Sequence, residues 1–320
     1  MGQNFGHVSK VTFNNDADKF GSGLVHFQHN LRDSGLFSDD KLAELIERYP
    51  REFYVLTTMA KQGGDPVWHN GDLNGVSGEF ALNAIKQGRL WLCLRRFDVV
   101  APQYEELIKD SFRDIERQIP GLKTSDHKSS MLISSPGARV LYHADIPMVS
   151  LWHVRGRKRV WLYDPDNKKH LPDPILEQII LRETEEELRY DPAWDLDAQS
   201  IVLEPGYALS WQHNAPHRVD NLDDLNVSIT TDYFTPMTKR RYGVFYANGH
   251  MRRRLGIKPR STNPNGISAY AKCAAALALK KAGVGKSQER QIIKKFKLNH
   301  EQPGALVDLS KLEQQPIPQG

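Results

Sequence analysis

Between Pro102 and Pro120 the apolar residues Tyr104, Leu107, Ile108, Phe112, Ile115 and Ile119 recur every three or four positions, the spacing of one face of an α-helix. Two more helices are predicted where Ser38 and Ser77 stand as N-caps before amphipathic runs, the second stopped by Gly88 ahead of a strand-like segment at 89–97. From about Met131 the period falls to two. Short runs rich in branched and aromatic residues lie at 131–135, 138–146, 148–154, 158–164, 200–206, 207–211, 217–221 and 226–234. Turn chemistry separates them at Pro136-Gly137, Arg155-Gly156-Arg157, Pro205-Gly206 and Leu222-Asp223-Asp224. Eight strands around one interior fit a double-stranded β-helix.

The predicted class is therefore α+β with a mainly β core. A helical and mixed segment at 1–125 packs on a jelly-roll barrel at 126–238, and a basic helical extension follows at 239–320. An acidic, Pro-containing and partly helical insertion at about 168–197 interrupts the barrel strands. In the extension, the Ala-rich stretch 266–283 and the segment 287–297 read as two helices about a turn. The turn itself imitates the end of a phosphate loop, but Lys280 stands where its first glycine is required.

Composition adds an asymmetry. The net charge of +4 divides into 17 basic against 4 acidic residues in 239–320 and 26 against 35 before it. Such a tail can meet nucleic acid, an acidic protein or this chain's own acidic segment 182–197, or simply form a solvated helical surface. DNA reading by the two tail helices ranks below packing or dimerisation. With 39% hydrophobic residues and no long apolar run, the chain reads as a soluble globular protein without a membrane span, and cytoplasmic residence is expected. Cys93 and Cys273 are the sole cysteines and lie 180 positions apart, which encodes neither a disulfide framework nor a zinc ribbon.

Candidate chemistry gathers in Tyr142–Lys158. A mononuclear Fe(II) site that activates oxygen needs two imidazoles and one carboxylate on one face of the metal. His143 and Asp145 lie two apart at a strand end, and a third donor must come from a later strand. His217 opens such a strand, whereas His213 lies in the loop before it; the strand position favours His217, with His213 as the alternative or as a brace for a ligand. A lysine inside a barrel is costly unless an anion meets it, so Lys158 is a candidate anchor for the far carboxylate of a metal-chelating dicarboxylate. Alternation alone leaves open that Arg157, Lys158 and Arg159 all face solvent. His153, on the next strand, is expected to be a hydrogen-bonded core residue.

Met131 to Phe234 resembles the JmjC branch of the cupin superfamily. The His-x-Asp pair, the lysine fifteen after the histidine and the histidine twelve after Pro205 fall in register together. The nearest likeness is to the asparaginyl hydroxylase that acts on hypoxia-inducible factor and to related Fe(II)- and 2-oxoglutarate-dependent oxygenases; bacterial cupin-like proteins are also similar. The resemblance implies His143, Asp145 and His217 as iron ligands and catalytic centre, Lys158 as partner of the 2-oxoglutarate C5 carboxylate, and homodimerisation through the C-terminal helices. Val140 stands where the hydroxylase has a threonine, and Val149 and Asp232 where it has asparagines. The co-substrate pocket is then rebuilt, with Tyr142, Ser134, Trp152 and Asp232 as candidate contacts.

The expected activity is that of an Fe(II)/2-oxoglutarate-dependent dioxygenase, a hydroxylase using O2 on a protein, peptide or small-molecule substrate. The alternatives are a metal-dependent cupin that does not use 2-oxoglutarate, and a regulatory or nucleic-acid-binding protein with a degenerate barrel.

Overall fold

The computed structural model describes residues 9–59, 68–184, 186, 188–259, 261–284 and 294–309. Strands and helices alternate at first: β1 (Val11–Phe13), β2 (Val25–His29), α1 (Asp39–Glu47), β3 (Tyr54–Thr58), β4 (Asn70–Asp72), α2 (Gly78–Gln87), β5 (Leu90–Leu94), α3 (Phe97–Val100) and α4 (Pro102–Gln118). Ser38 and Ser77 cap α1 and α2, each side chain accepting from a backbone N–H of the first turn, Lys41 and Phe80 respectively. Helix α4 buries Tyr104, Leu107, Ile108, Phe112 and Ile115 along one face.

Then come β6 (Ser125–Ser134), β7 (Arg139–His143), β8 (Met148–Arg155), β9 (Lys158–Leu162), α5 (Asp173–Ile180), β10 (Gln199–Leu203), β11 (Tyr207–Ser210), β12 (His217–Asn221) and β13 (Asn226–Phe234). These eight strands are the eight predicted. They divide between two sheets: β7, β12, β9 and β10 form a four-stranded one, while β6, β13, β8 and β11 sit side by side in the other. The chain thus crosses repeatedly from one sheet to the other, and all these pairings are antiparallel. Gly156 makes the β8–β9 turn at φ +75°, where an added Cβ would also press on Leu225 O, so only glycine fits.

The N-terminal part does more than pack on this core. β1 and β2 extend the larger sheet beyond β11, and β5, β3 and β4 extend it beyond β6, to nine strands, which two strands from the C-terminal part bring to eleven. Alternation along β6, β8 and β13 sends Met131, Ile133, Met148, Trp152, Val154, Val227, Ile229 and Tyr233 to the face that packs with the N-terminal helices. Their neighbours Leu132, Val149 and Leu151 face the smaller sheet, where they join Val160, Leu162 and Val219.

After these strands come α6 (Pro236–Leu255), α7 (Ile267–Lys281), β14 (Lys294–Leu298) and β15 (Leu306–Asp308). α7 confirms the Ala-rich helix. The second tail helix is corrected: Lys294–Leu298 is a strand that pairs in parallel with β4, its Phe296 ring seated against Gly71 with no room for a Cβ, while 285–293, with the end of the imitated phosphate loop, lies outside the described residues. Extended backbone there completes the edge that β4 would otherwise leave open. Part of the tail's charge meets the chain's own acids: Arg252 binds Glu177 at 2.7 Å, Arg253 pairs with Glu183, Lys239 binds Asp126 at 2.7 Å and Lys294 pairs with Asp72. The insertion is fastened at its far end by Arg218, a buried guanidinium held by Asp195 and Asp220, both at 2.5 Å, and stacked 4.1 Å over Trp161. No helix among the described residues is long and apolar enough to cross a membrane.

Candidate metal centre

β7 ends at His143, and Asp145 follows in the turn that leaves it. β12 begins at His217, directly opposite His143. Ligand-capable atoms of these three residues all lie within 4.8 Å of one another. The Nε2 atoms of His143 and His217 stand 3.8 and 3.4 Å from the Asp145 carboxylate oxygens. Both rings are turned by their other nitrogens, which donate to backbone carbonyls: His143 Nδ1 to Leu141 O at 2.7 Å and His217 Nδ1 to Ala215 O at 3.0 Å. Each Nε2 lone pair is thereby left facing the carboxylate. Burial, with His143 adding to it, pushes the His217 imidazole down to about 4, so the ring is neutral and able to coordinate at physiological pH.

The donor set suits a divalent cation. Ligands at roughly 2.1 Å in octahedral geometry stand about 3 Å apart when adjacent, which small movements from the present separations supply. Two imidazoles and one carboxylate on one side form the facial arrangement of non-haem iron sites. A further carboxyl, Asp232 on β13, is pushed up to about 8 by burial and then by the charges of Asp145 and Glu186. That surplus of negative charge is what a cation would offset.

The triad lies in the wall of a cavity of about 1550 Å³ whose lining also includes Lys158, Ser134, Asn221, Asp232 and Trp211. Lys158 opens β9 with its side chain inward, 3% exposed, and burial pushes its amine down to about 7. Its neighbours resolve the open alternation: Arg157 is exposed and bound to Asp223 at 2.6 Å, and Arg159 lies 5.7 Å over the Trp161 ring on the opposite face. Among the described residues no carboxylate forms an ion pair with Lys158. β12 pairs His217 with Leu162 and Asn221 with Lys158, so the lysine lies four residues from the triad, about 13 Å along the strand at roughly 3.3 Å per residue.

Of the residues expected to hold a co-substrate, Ser134 and Asp232 line the cavity, and so do Val140 and Val149. Tyr142 and Trp152 do not, and these two are corrected. Between the pairs Val140–Val219 and His143–His217, β7 advances three residues while β12 advances two. The bulge brings both Val140 and His143 to the cavity and turns Tyr142 outward, where its hydroxyl donates to His170 O at 3.2 Å and its ring packs 4.9 Å from Tyr163. Trp152 has the parity of the outer face of β8 and packs against Phe27 and Phe112. His213 stands apart from the triad, its Nε2 donating to Ile146 O at 2.8 Å. His153 is a core residue, as expected, bonded to Ser228 Oγ and Gly156 O.

Sequence reasoning missed Asn221, which shares the face of His217 and Val219 by simple alternation and donates to Ser134 Oγ and Ser135 O, both at 2.8 Å. It also missed Lys294, brought to the cavity by β14.

No protein-family model matches this sequence, and no curated protein matches it. Solved structures resemble it. The X-ray structure of Escherichia coli YcfD is 18% identical with a TM-score of 0.48 over 85% of this chain and 68% of that one. YcfD described as a ribosomal oxygenase in complex with cobalt and 2-oxoglutarate is 16% identical, with a TM-score of 0.46 over 84% of this chain and 67% of that one. The same oxygenase with cobalt and succinic acid gives 15% and 0.42 over 84% and 67%. All three superpose at low identity, while the donor set and the inward lysine are features of this chain's own side chains.

Proposed function

We propose that this chain is an Fe(II)- and 2-oxoglutarate-dependent oxygenase of the JmjC/cupin type, its two-sheet core a double-stranded β-helix, and that it hydroxylates a protein, peptide or small-molecule substrate. The observation that carries this reading is one cavity holding both a His-Asp-His donor set and, four residues along the same strand pair, a buried lysine with no ion pair among the described residues. A lone metal site would not need the lysine, and a lysine buried without an anion is held at a cost in desolvation.

His143, Asp145 and His217 would hold the metal, leaving its remaining positions to the cavity. When bound, Fe(II) would supply the redox chemistry that couples oxidative decarboxylation of 2-oxoglutarate, to succinate and CO2, with oxidation of a substrate C–H bond. Lys158 would pair with the distal carboxylate, and Asn221 and Ser134 beside it would supply the polar contacts that Val140 and Val149 cannot. Val140, Val149, Leu151, Trp211 and Val219 form an apolar wall that keeps water from the space between the two ends of the diacid.

Anaerobic loading with Fe(II) and 2-oxoglutarate followed by a pulse of O2 tests this. Wild-type protein should form succinate, and His143→Ala should bind neither metal nor release succinate. No succinate from the wild type, or an unchanged yield from His143→Ala, would reject the assignment.

A further inference from the structure

The two segments that carry the triad come from distant parts of the chain, and a single asparagine joins them. Asn214 lies three residues before His217, buried, with φ +62°, a left-handed conformation that asparagine tolerates better than most residues. In such a turn an asparagine amide commonly bonds its own neighbouring backbone. Here it reaches across to the segment that follows β7 instead. Nδ2 donates to Asp145 O at 2.9 Å and to Ile146 O at 3.2 Å, across 69 and 68 residues of sequence.

Its other end is fixed as well. Arg241 Nε of α6 donates to Asn214 Oδ1 at 3.4 Å, which orients the amide so that its N–H groups face the turn after β7. His213 adds a third donor, to Ile146 O at 2.8 Å. One residue further on, Ala215 O accepts from His217 Nδ1 and sets that ring. The same short turn therefore clamps the backbone of one candidate ligand and aims the imidazole of another.

We propose that Asn214 is the positioning residue that sets the separation between Asp145 and His217. The inference rests on the metal reading of the triad, and it adds that the donor spacing depends on this amide and not on strand pairing alone. The pairing of His143 with His217 fixes the two imidazoles relative to each other, but Asp145 lies beyond the end of β7, outside any ladder. Among the described residues, the side chains that tie the main chain of Asp145 and Ile146 to the β12 side are those of Asn214 and His213. A displacement of a fraction of an ångström there changes the ligand geometry.

Co(II) titration of the protein followed by visible absorption tests this without any turnover. Two variants separate the amide from the turn: Asn214→Asp keeps the shape but replaces the donors with an acceptor, and Asn214→Gly accepts the left-handed backbone but has no side chain. Both should bind Co(II) about 10- to 100-fold more weakly and with an altered ligand-field spectrum, while the metal-free proteins keep wild-type circular dichroism. If Asn214→Asp does not fold, Asn214→Gly decides. Wild-type affinity and spectrum in the folded variants would overturn the role of Asn214. A wild-type protein that takes up no Co(II), indistinguishable from His143→Ala, would overturn the metal reading and this inference with it.

Discussion

Replacing Lys158 by methionine should stabilise the metal-free protein and abolish co-substrate binding, two effects of opposite sign from one buried amine. In the folded protein burial brings the amine from the ordinary 10.5 to about 7, whereas the unfolded chain keeps the ordinary value. Between those two pH values the unfolded state binds more protons, so stability rises with pH across that window, and the full cost of the buried ammonium is present below about 7. The span corresponds to a cost on the order of 5 kcal/mol, and exchanges of buried charges for apolar residues typically recover about 1–4 kcal/mol of it. Lys158→Met should therefore raise the urea midpoint at pH 6.5. The same ammonium is what a distal carboxylate would meet, and its loss should weaken 2-oxoglutarate binding by roughly 3 kcal/mol, more than about 100-fold.

The pH dependence is a second signature of the same group. Only the ammonium form binds the dianion well, so affinity should be flat below pH 7 and fall about tenfold per pH unit above it. Anaerobic calorimetry with Co(II) bound, in buffers of different ionisation enthalpy, should show close to one proton taken up per 2-oxoglutarate at about pH 8 and almost none at about pH 6. Lys158→Arg, whose cation does not titrate in this range, should remove the slope even where it lowers the affinity, which separates Lys158 from Asp232 as its source. His153 stays neutral throughout, held down to about 2 by burial and then by Lys158 itself. A flat profile from pH 6 to 9, or a Lys158→Met variant that is destabilised yet binds normally, would refute the reasoning.

Two predictions concern the frame around the site. Gly71→Ala would push a methyl group into the Phe296 ring and should release β14 from β4, at a cost of about 1–3 kcal/mol, with faster proteolysis within 294–309; unchanged cleavage would mean that β14 is not docked as described. Arg218→Ala leaves Asp195 and Asp220 without their shared cation and should cost about 3 kcal/mol in urea unfolding; a loss below about 1 kcal/mol would show that the network contributes little.

Much of the two-sheet core was legible because its strands obey a period of two and are bounded by Pro, Gly and Asp turns. The triad was legible for the same reason: His143 and His217 sit at strand ends, where register, and not loop conformation, decides what they face. Tyr142 and Trp152 were misplaced for different causes. A bulge shifts the phase of β7, and no residue type announces it; Trp152 follows simple alternation, but the sequence does not say which face of β8 is the cavity. Asn214 and Lys294 depend on contacts between segments far apart in the chain, which periodicity cannot reveal. The tail strand also escaped, because Lys294–Leu298 becomes extended by borrowing the edge of β4 and not from its own pattern.

The order in which the cavity is assembled follows from β14. The three donors and the smaller sheet that carries them are complete in the chain by Asn221, but Lys294 and the strand beside β4 are synthesised later. A growing chain therefore carries all three donor residues before the part of the cavity lining that β14 supplies. Seventy-seven residues of sequence separate the last donor, His217, from Lys294, so the donor set and this part of the cavity lining are drawn from separate stretches of the chain.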